Sequence, residues 1–220
     1  MNNPIGVDRL NVDEAYYVVL DFETVTPKGR PPEPIELAAM RIMPGRELDK
    51  EFKVDRLIRP PEGASITPFD TAQTGIRWED VRNAPTVNPV LKELERRLEG
   101  IEYVMVAQNA RYEAAIIRRF SSECPRVSKM LFVDTVALAK HLLSGLQNYK
   151  LDTLASHFSI PIPVHRHRAL PDVQITVQVF LQLLKLGLSV KKIRTVGDLR
   201  RTSGIKTDIE GETPQISLFS

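Results

Sequence analysis

Asp21 and Glu23 stand two residues apart in the run Asp21-Phe22-Glu23-Thr24, directly after the apolar segment Tyr16 to Leu20. If that segment is a strand, side chains at i and i+2 leave the same face of it. Both carboxylates then meet at the carboxyl end of the strand, where open α/β sheets take their ligands. Two anions so close repel each other unless a cation lies between them. Hard oxygen donors of this kind suit Mg²⁺ or Mn²⁺. A solvated turn at a strand end is the competing reading of the same pair.

Two further groups contain chemically useful side chains. In His167-Arg168-Ala169-Leu170-Pro171-Asp172, Pro171 fits the first turn of a helix, which sets Asp172 near the helix N-terminus. The charge of Asp172 would suit the helix dipole there without any further role. A histidine in the loop before it, His165 or His167, has an ordinary pKa of about 6.5 and can take a proton near neutral pH. Spacing alone does not choose between them. In Gln108-Asn109-Ala110-Arg111-Tyr112-Glu113, Asn109 is expected to cap a helix and Glu113 to face its dipole, a purely structural reading.

The elements that must hold these groups are legible from pattern. Tyr16 to Leu20 reads as a buried central strand, Ile35 to Met43 as a second and Glu51 to Ile58 as a third. Pro60 to Thr86 reads as loop. Leu91, Leu94 and Leu98 share one face of a helix predicted over Asn88 to Gly100. Glu102 to Ala107 and Leu131 to Val133 read as strands four and five. Helices are predicted from Asn109 to Phe120, Asp134 to Ser144, Leu151 to Phe158 and Ala169 to Leu186. Strands followed by alternating helices and strands make a mixed sheet with helices on it, an α/β domain ending near residue 187. Residues 188–214 read as a basic segment, in which Ser189 to Arg201 can form a short helix, and a flexible linker, and 215–220 as a separate peptide.

Composition narrows the class. In 220 residues, 42% are hydrophobic and 26% charged, ordinary for a globular chain. The single Cys124 excludes a disulfide framework and a multi-cysteine zinc site, and fits a reducing cytoplasm. The first residues lack the pattern of a signal peptide, and no apolar run is long enough to span a membrane. The net charge of +2 conceals an uneven distribution. Lys185, Lys191, Lys192, Arg194, Arg200, Arg201 and Lys206 lie close together with Asp198 as the one acid among them. That segment is a candidate for contact with a nucleic-acid backbone. Arg111, Arg166 and Arg168 flank the acidic groups and are candidates for holding phosphates. Trp78 and Tyr112 are candidates for stacking on a base.

The three groups, in this order and at these separations, resemble the three motifs of the DEDDh 3′–5′ exonucleases. That group includes the proofreading subunits of bacterial replicative polymerases. Thr74-Gly75-Ile76, Asp134-Thr135 and Leu151 to Ala155 extend the resemblance, which covers roughly residues 14–187. It implies an RNase H-like fold with a mixed five-stranded sheet flanked by helices. It also implies two-metal phosphodiester hydrolysis with Mg²⁺ or Mn²⁺. Carried over by position, Asp21, Glu23, Asp172 and Glu113 hold the metals, and His167 rather than His165 is the general base. Phe22, Thr24, Gln108, Asn109 and Tyr112 take the substrate-binding positions. The second motif departs from the family pattern, with Gln108 where His is usual and Glu113 where Asp is usual.

The last residues, Gln215-Ile216-Ser217-Leu218-Phe219, resemble the peptide by which bacterial proteins bind the sliding clamp. Leu218 and Phe219 would fill an apolar pocket, with Gln215 and Ser217 giving polar contacts. The implied partners are single-stranded DNA 3′ ends, the clamp and a DNA polymerase. The length leaves no room for a polymerase domain, so proofreading would act in trans. Trimming of RNA is the alternative within enzymes. A catalytically weakened module that binds nucleic acid or the clamp is the alternative outside them.

Overall fold

The structure, a computed structural model, describes residues 6–163 and 168–205. Strand β1 (Tyr16–Val25) lies in the middle of a five-stranded sheet of order β3-β2-β1-β4-β5. β2 (Glu33–Met43) and β3 (Glu47–Leu57) continue from it as an antiparallel meander. β4 (Tyr103–Ala107) and β5 (Leu131–Asp134) add to its other side in parallel. The mixed five-stranded α/β sheet read from the sequence is the one observed.

Both faces of β1 are covered, which is why Tyr17 to Leu20 carry an unbroken apolar run. Tyr17 and Val19 face one core, shared with Val173, Phe180 and Leu184 of helix α7 (Ala169–Ser189). The rings of Tyr17 and Phe180 meet edge to face at 5.0 Å. Val18, Leu20 and Phe22 face the second core, with Leu91 and Leu94 of α3 (Val87–Arg97) and Ala114 and Ile117 of α4 (Arg111–Arg119). α5 (Thr135–Leu142) and α6 (Leu151–His157) join the first core through Leu138 and Leu154. No helix among the described residues is long and apolar enough to cross a membrane.

Two regions differ from the sequence reading. The stretch from 60 to 86 holds two short helices, α1 (Pro68–Thr74) and α2 (Trp78–Val81). Thr67 and Asp70 form a reciprocal capping box on α1, and Gly75 ends it at φ 72°. Elements this short show no periodicity. Ile76, between the two helices, and Val81 of α2 join Ala64 in covering Val25 and Ile35, at the ends of β1 and β2 beside the acidic groups.

The fold also continues past residue 187. Helix α8 (Val196–Ser203) packs on the first core, and Ile193, Val196 and Leu199 are fully buried. Val12 donates its N–H to the Arg194 carbonyl at 3.0 Å, and Ile205 donates to Phe132 at 2.8 Å. Residues 188–205 are thus part of the domain and not linker. Their three core residues recur every third position among charges, so a mean charge of the segment conceals them. Positions 206–214 of the expected linker lie outside the described residues.

Gly187 permits this closure. A Cβ there would lie 2.8 Å from Cβ of Ile193. Gly187→Ala is expected to destabilise the domain by about 1–3 kcal/mol through overpacking, measured by thermal or urea unfolding.

Candidate active site

Asp21 and Glu23 sit at the end of β1, on the face that continues from Tyr17 and Val19. The same face carries α7, whose first turn holds Asp172. One carboxylate oxygen from each of Asp21, Glu23 and Asp172 lies within 4.8 Å of the others. The structure thus brings together three of the predicted acids. Glu113, in the first turn of α4, lies alongside: it adds to the negative field on Asp21 and feels that of Glu23.

The electrostatics of this cluster are unfavourable without a cation. Burial, then the charges of Glu113, Glu23 and Asp172, holds the Asp21 carboxyl well above the usual carboxylate range. Burial does the same to Glu113, opposed by a backbone hydrogen bond and reinforced by Asp134 and Glu23. Glu113 is only 3% exposed, and its Oε2 has no hydrogen-bond partner among the described residues. A buried carboxylate oxygen left orphaned beside three other acids is costly unless a positive group completes it. The donor set is all oxygen, as Mg²⁺ and Mn²⁺ require. The residues therefore fit a divalent metal.

The turn into α4 is built differently from the sequence reading. Asn109 does not cap the helix with its side chain; Ala110 is the N-cap. Asn109 instead adopts a left-handed backbone, φ 60°, which Asn tolerates better than most residues. Its N–H donates to Asp134 Oδ1 at 3.1 Å, and the same oxygen accepts from Val136 N–H at 2.8 Å, capping α5. Asp134 thus ties the second motif to the end of β5. Sequence reading assigned it the opening of α5 and a place in the family resemblance, but not this link to the second motif.

The predicted substrate-binding residues separate into two groups. Thr24 of β1 and Tyr112 of α4 join side chains at 2.5 Å, and burial pushes the Tyr112 phenol up to about 12. Asn109 is exposed beside them. Phe22 instead points to the opposite face of the sheet, where it is 5% exposed within the second core. Alternation along β1 requires this once Asp21 and Glu23 face α7. Gln108 is occupied by structure: its Nε2 donates to the Tyr149 carbonyl at 3.0 Å and its Oε1 accepts from Thr135 at 2.5 Å.

Other candidates divide in the same way. Trp78 is exposed on α2. Arg111 is exposed, whereas the Arg168 guanidinium is bound to Glu36. The first part of the basic segment lies at the far end of the sheet from the carboxylates. α7 runs from the site to Ser189, about 25 Å away at 1.5 Å per residue, before Lys191, Lys192 and Arg194 appear. Arg200 pairs with Asp8 at 2.8 Å and Arg201 with Asp198. The described part of that segment gives no support to a DNA contact near the carboxylates. His165, Arg166 and His167 lie outside the described residues, as do Gln215, Ser217, Leu218 and Phe219.

The sequence pattern of the family described as Exonuclease (RNase_T) matches residues 18–180. The chain belongs to the exonuclease family. The matched span takes in Asp21, Glu23, Glu113 and Asp172, and the family's chemistry depends on divalent metal. The exonuclease is 31% identical over 188 residues to the PolC-type DNA polymerase III of Caldanaerobacter subterraneus, covering 83% of this chain and 13% of that protein. It is 32% identical over 189 residues to a DNA polymerase III subunit epsilon-like protein of Rhodobacter capsulatus, covering 84% of this chain and 26% of the relative. The chain thus spans a small part of these curated relatives. Among solved structures, exonuclease X in complex with 5′ overhanging duplex DNA superposes with a TM-score of 0.60 at 22% identity. That comparison covers 83% of this chain and 99% of the other, and it shows the shared fold.

Proposed function

We propose that this exonuclease hydrolyses DNA from the 3′ end by a two-metal mechanism, in proofreading or repair, tethered to the sliding clamp. The observation that carries the reading is the convergence of Asp21, Glu23 and Asp172 from distant parts of the chain, with the orphaned Glu113 oxygen beside them. Asp21, Glu23, Asp172 and Glu113 would hold the cations. Two bound cations supply positive charge to the attacking and leaving oxygens of an in-line displacement. His167 takes one proton of the attacking water as the water oxygen bonds to phosphorus, the bond from phosphorus to the leaving 3′ oxygen breaks, and that oxygen takes a proton from solvent. A positioned base of this kind contributes roughly 10²–10⁴-fold. Thr24, Asn109 and Tyr112 hold the terminal nucleotide, while Gln108 acts by linking Thr135 to the Tyr149 carbonyl.

The choice of DNA rests on the polymerase relatives and the clamp-like tail. A Mg²⁺ or Mn²⁺ nuclease assay on 3′- and 5′-labelled DNA, with a matched RNA oligonucleotide, tests it. Stepwise loss from the 3′ end of DNA, stopped by chelator, is expected. Faster trimming of the RNA would reassign the substrate. Absence of cleavage in clean protein would leave only a binding module.

Two predictions concern residues outside the described ones. His167→Ala is expected to lower cleavage by roughly 10²-fold or more, and His165→Ala by less than about threefold. The reverse ranking would reassign the base. Deleting residues 215–220 is expected to abolish capture by the sliding clamp while leaving cleavage of a free oligonucleotide unchanged. Undiminished capture would remove the tail from the argument. The tether raises local concentration at DNA ends without strong intrinsic affinity for DNA.

A further inference from the structure

Glu36 lies inside β2, 1% exposed, directly across from Glu23 in the β1–β2 register. A buried charge in such a place is tolerated only when well paired. Its partners all come from one point on another element. Arg168 Nε stands 3.0 Å from both carboxylate oxygens, and Nη2 donates to Oε1 at 2.5 Å. The Ala169 N–H donates to Oε2 at 2.8 Å. These two residues are the N-cap and first residue of α7.

α7 has no side-chain cap of its own. The Glu36 carboxylate performs that task from the sheet. It accepts an N–H of the first turn that the helix cannot satisfy, and it sets negative charge at the positive end of the dipole. The two-pronged contact with Arg168 also fixes direction, because the planar guanidinium matches a carboxylate in one orientation. Asp172 follows Ala169 by three residues, so its distance from Asp21 and Glu23 depends on where α7 begins. His167 is the residue immediately before Arg168.

We infer that Glu36, acting through Arg168 and the Ala169 N–H, is a positioning residue that sets the start of α7 and with it Asp172. The inference rests on the reading of Asp172 as a metal-holding residue. It removes Arg168 from the candidates for holding phosphate, since its guanidinium is committed to the sheet.

The test compares the wild-type chain with Arg168→Lys and with the double variant Glu36→Gln/Arg168→Met. The double variant removes both charges while keeping an oxygen for the Ala169 N–H, so it is expected to fold, with an unfolding temperature near that of wild type. Its kcat at saturating Mn²⁺ and oligonucleotide is expected to fall about 10²-fold, the cost of a misplacement of about 1 Å, with KM for the oligonucleotide within about threefold. Its affinity for Mn²⁺ alone, titrated calorimetrically without DNA, is expected to weaken about 10-fold or more. Arg168→Lys is expected to fall between the two in both measurements, because charge is kept and the fork is lost. Wild-type kcat and wild-type Mn²⁺ affinity in the folded variants would overturn the inference. The Mn²⁺ titration keeps it separate from the functional reading: if the wild-type chain binds Mn²⁺ but cuts nothing, the reading fails and the titration still decides the role of Glu36.

Discussion

Asp21→Asn is expected to lower metal-dependent cleavage by about 10³-fold or more, the rate equivalent of several kcal/mol of lost charge stabilisation. Asp21 is the carboxylate on which the fields of Glu113, Glu23 and Asp172 converge. The same substitution is expected to leave the unfolding temperature in chelator unchanged or raised. Removing one of several crowded anions relieves repulsion that the metal-free fold must bear. In the wild-type chain, divalent metal at about 100 times its dissociation constant adds about 2.7 kcal/mol to stability. Asp21→Asn should lose most of that gain. The pair of measurements separates a metal role from simple damage, which would lower both activity and stability. Activity within tenfold of wild type would remove Asp21 from the site.

Glu113 gives the second large effect. Glu113→Ala is expected to reduce cleavage by about 10²-fold, within the range for loss of groups that support a metal, while Glu113→Asp retains most of it. Both carry the argument that an anionic oxygen is needed at the end of this side chain, one methylene more or less being accommodated. Without metal, Glu113→Gln or Glu113→Leu should be as stable as wild type or more so, because the carboxylate is buried and its Oε2 lacks a hydrogen-bond partner among the described residues. Undiminished nuclease activity in Glu113→Ala would refute any metal role for it. The assay is best run across Mg²⁺ concentrations, so that weakened binding is distinguished from a slower chemical step.

Local pattern made the central part of this site legible. The apolar run before Asp21 required a doubly covered strand, and the i, i+2 rule then put Asp21 and Glu23 on one face. Pro171 located the start of α7 and hence Asp172. The same alternation, applied one residue further, puts Phe22 in the core, although the sequence reading assigned it to substrate. What sequence could not supply were partners distant along the chain. Glu36 reads as one charge within IELAA, and its partner lies 132 residues away. A lone acid in an apolar strand is nonetheless a signal, since burial there demands a counter-charge. Gln108 looked available because Thr135 and Tyr149, which occupy its amide, are brought to it only by the parallel sheet. The end of the domain was misread because Ile193, Val196 and Leu199 are too sparse among basic residues to mark a core helix.

The separations have a kinetic consequence. The carboxylates at 21, 23, 113 and 172 meet only after β1 has paired in parallel with β4 and α7 has folded back across both β1 and β2. Each step closes a long loop before its contacts reward it, the situation in which folding is slow. The helices form their local hydrogen bonds far sooner. On dilution from denaturant, helical signal should therefore return before nuclease activity does. The capacity to cut is then acquired last, when the chain has already completed the architecture around it.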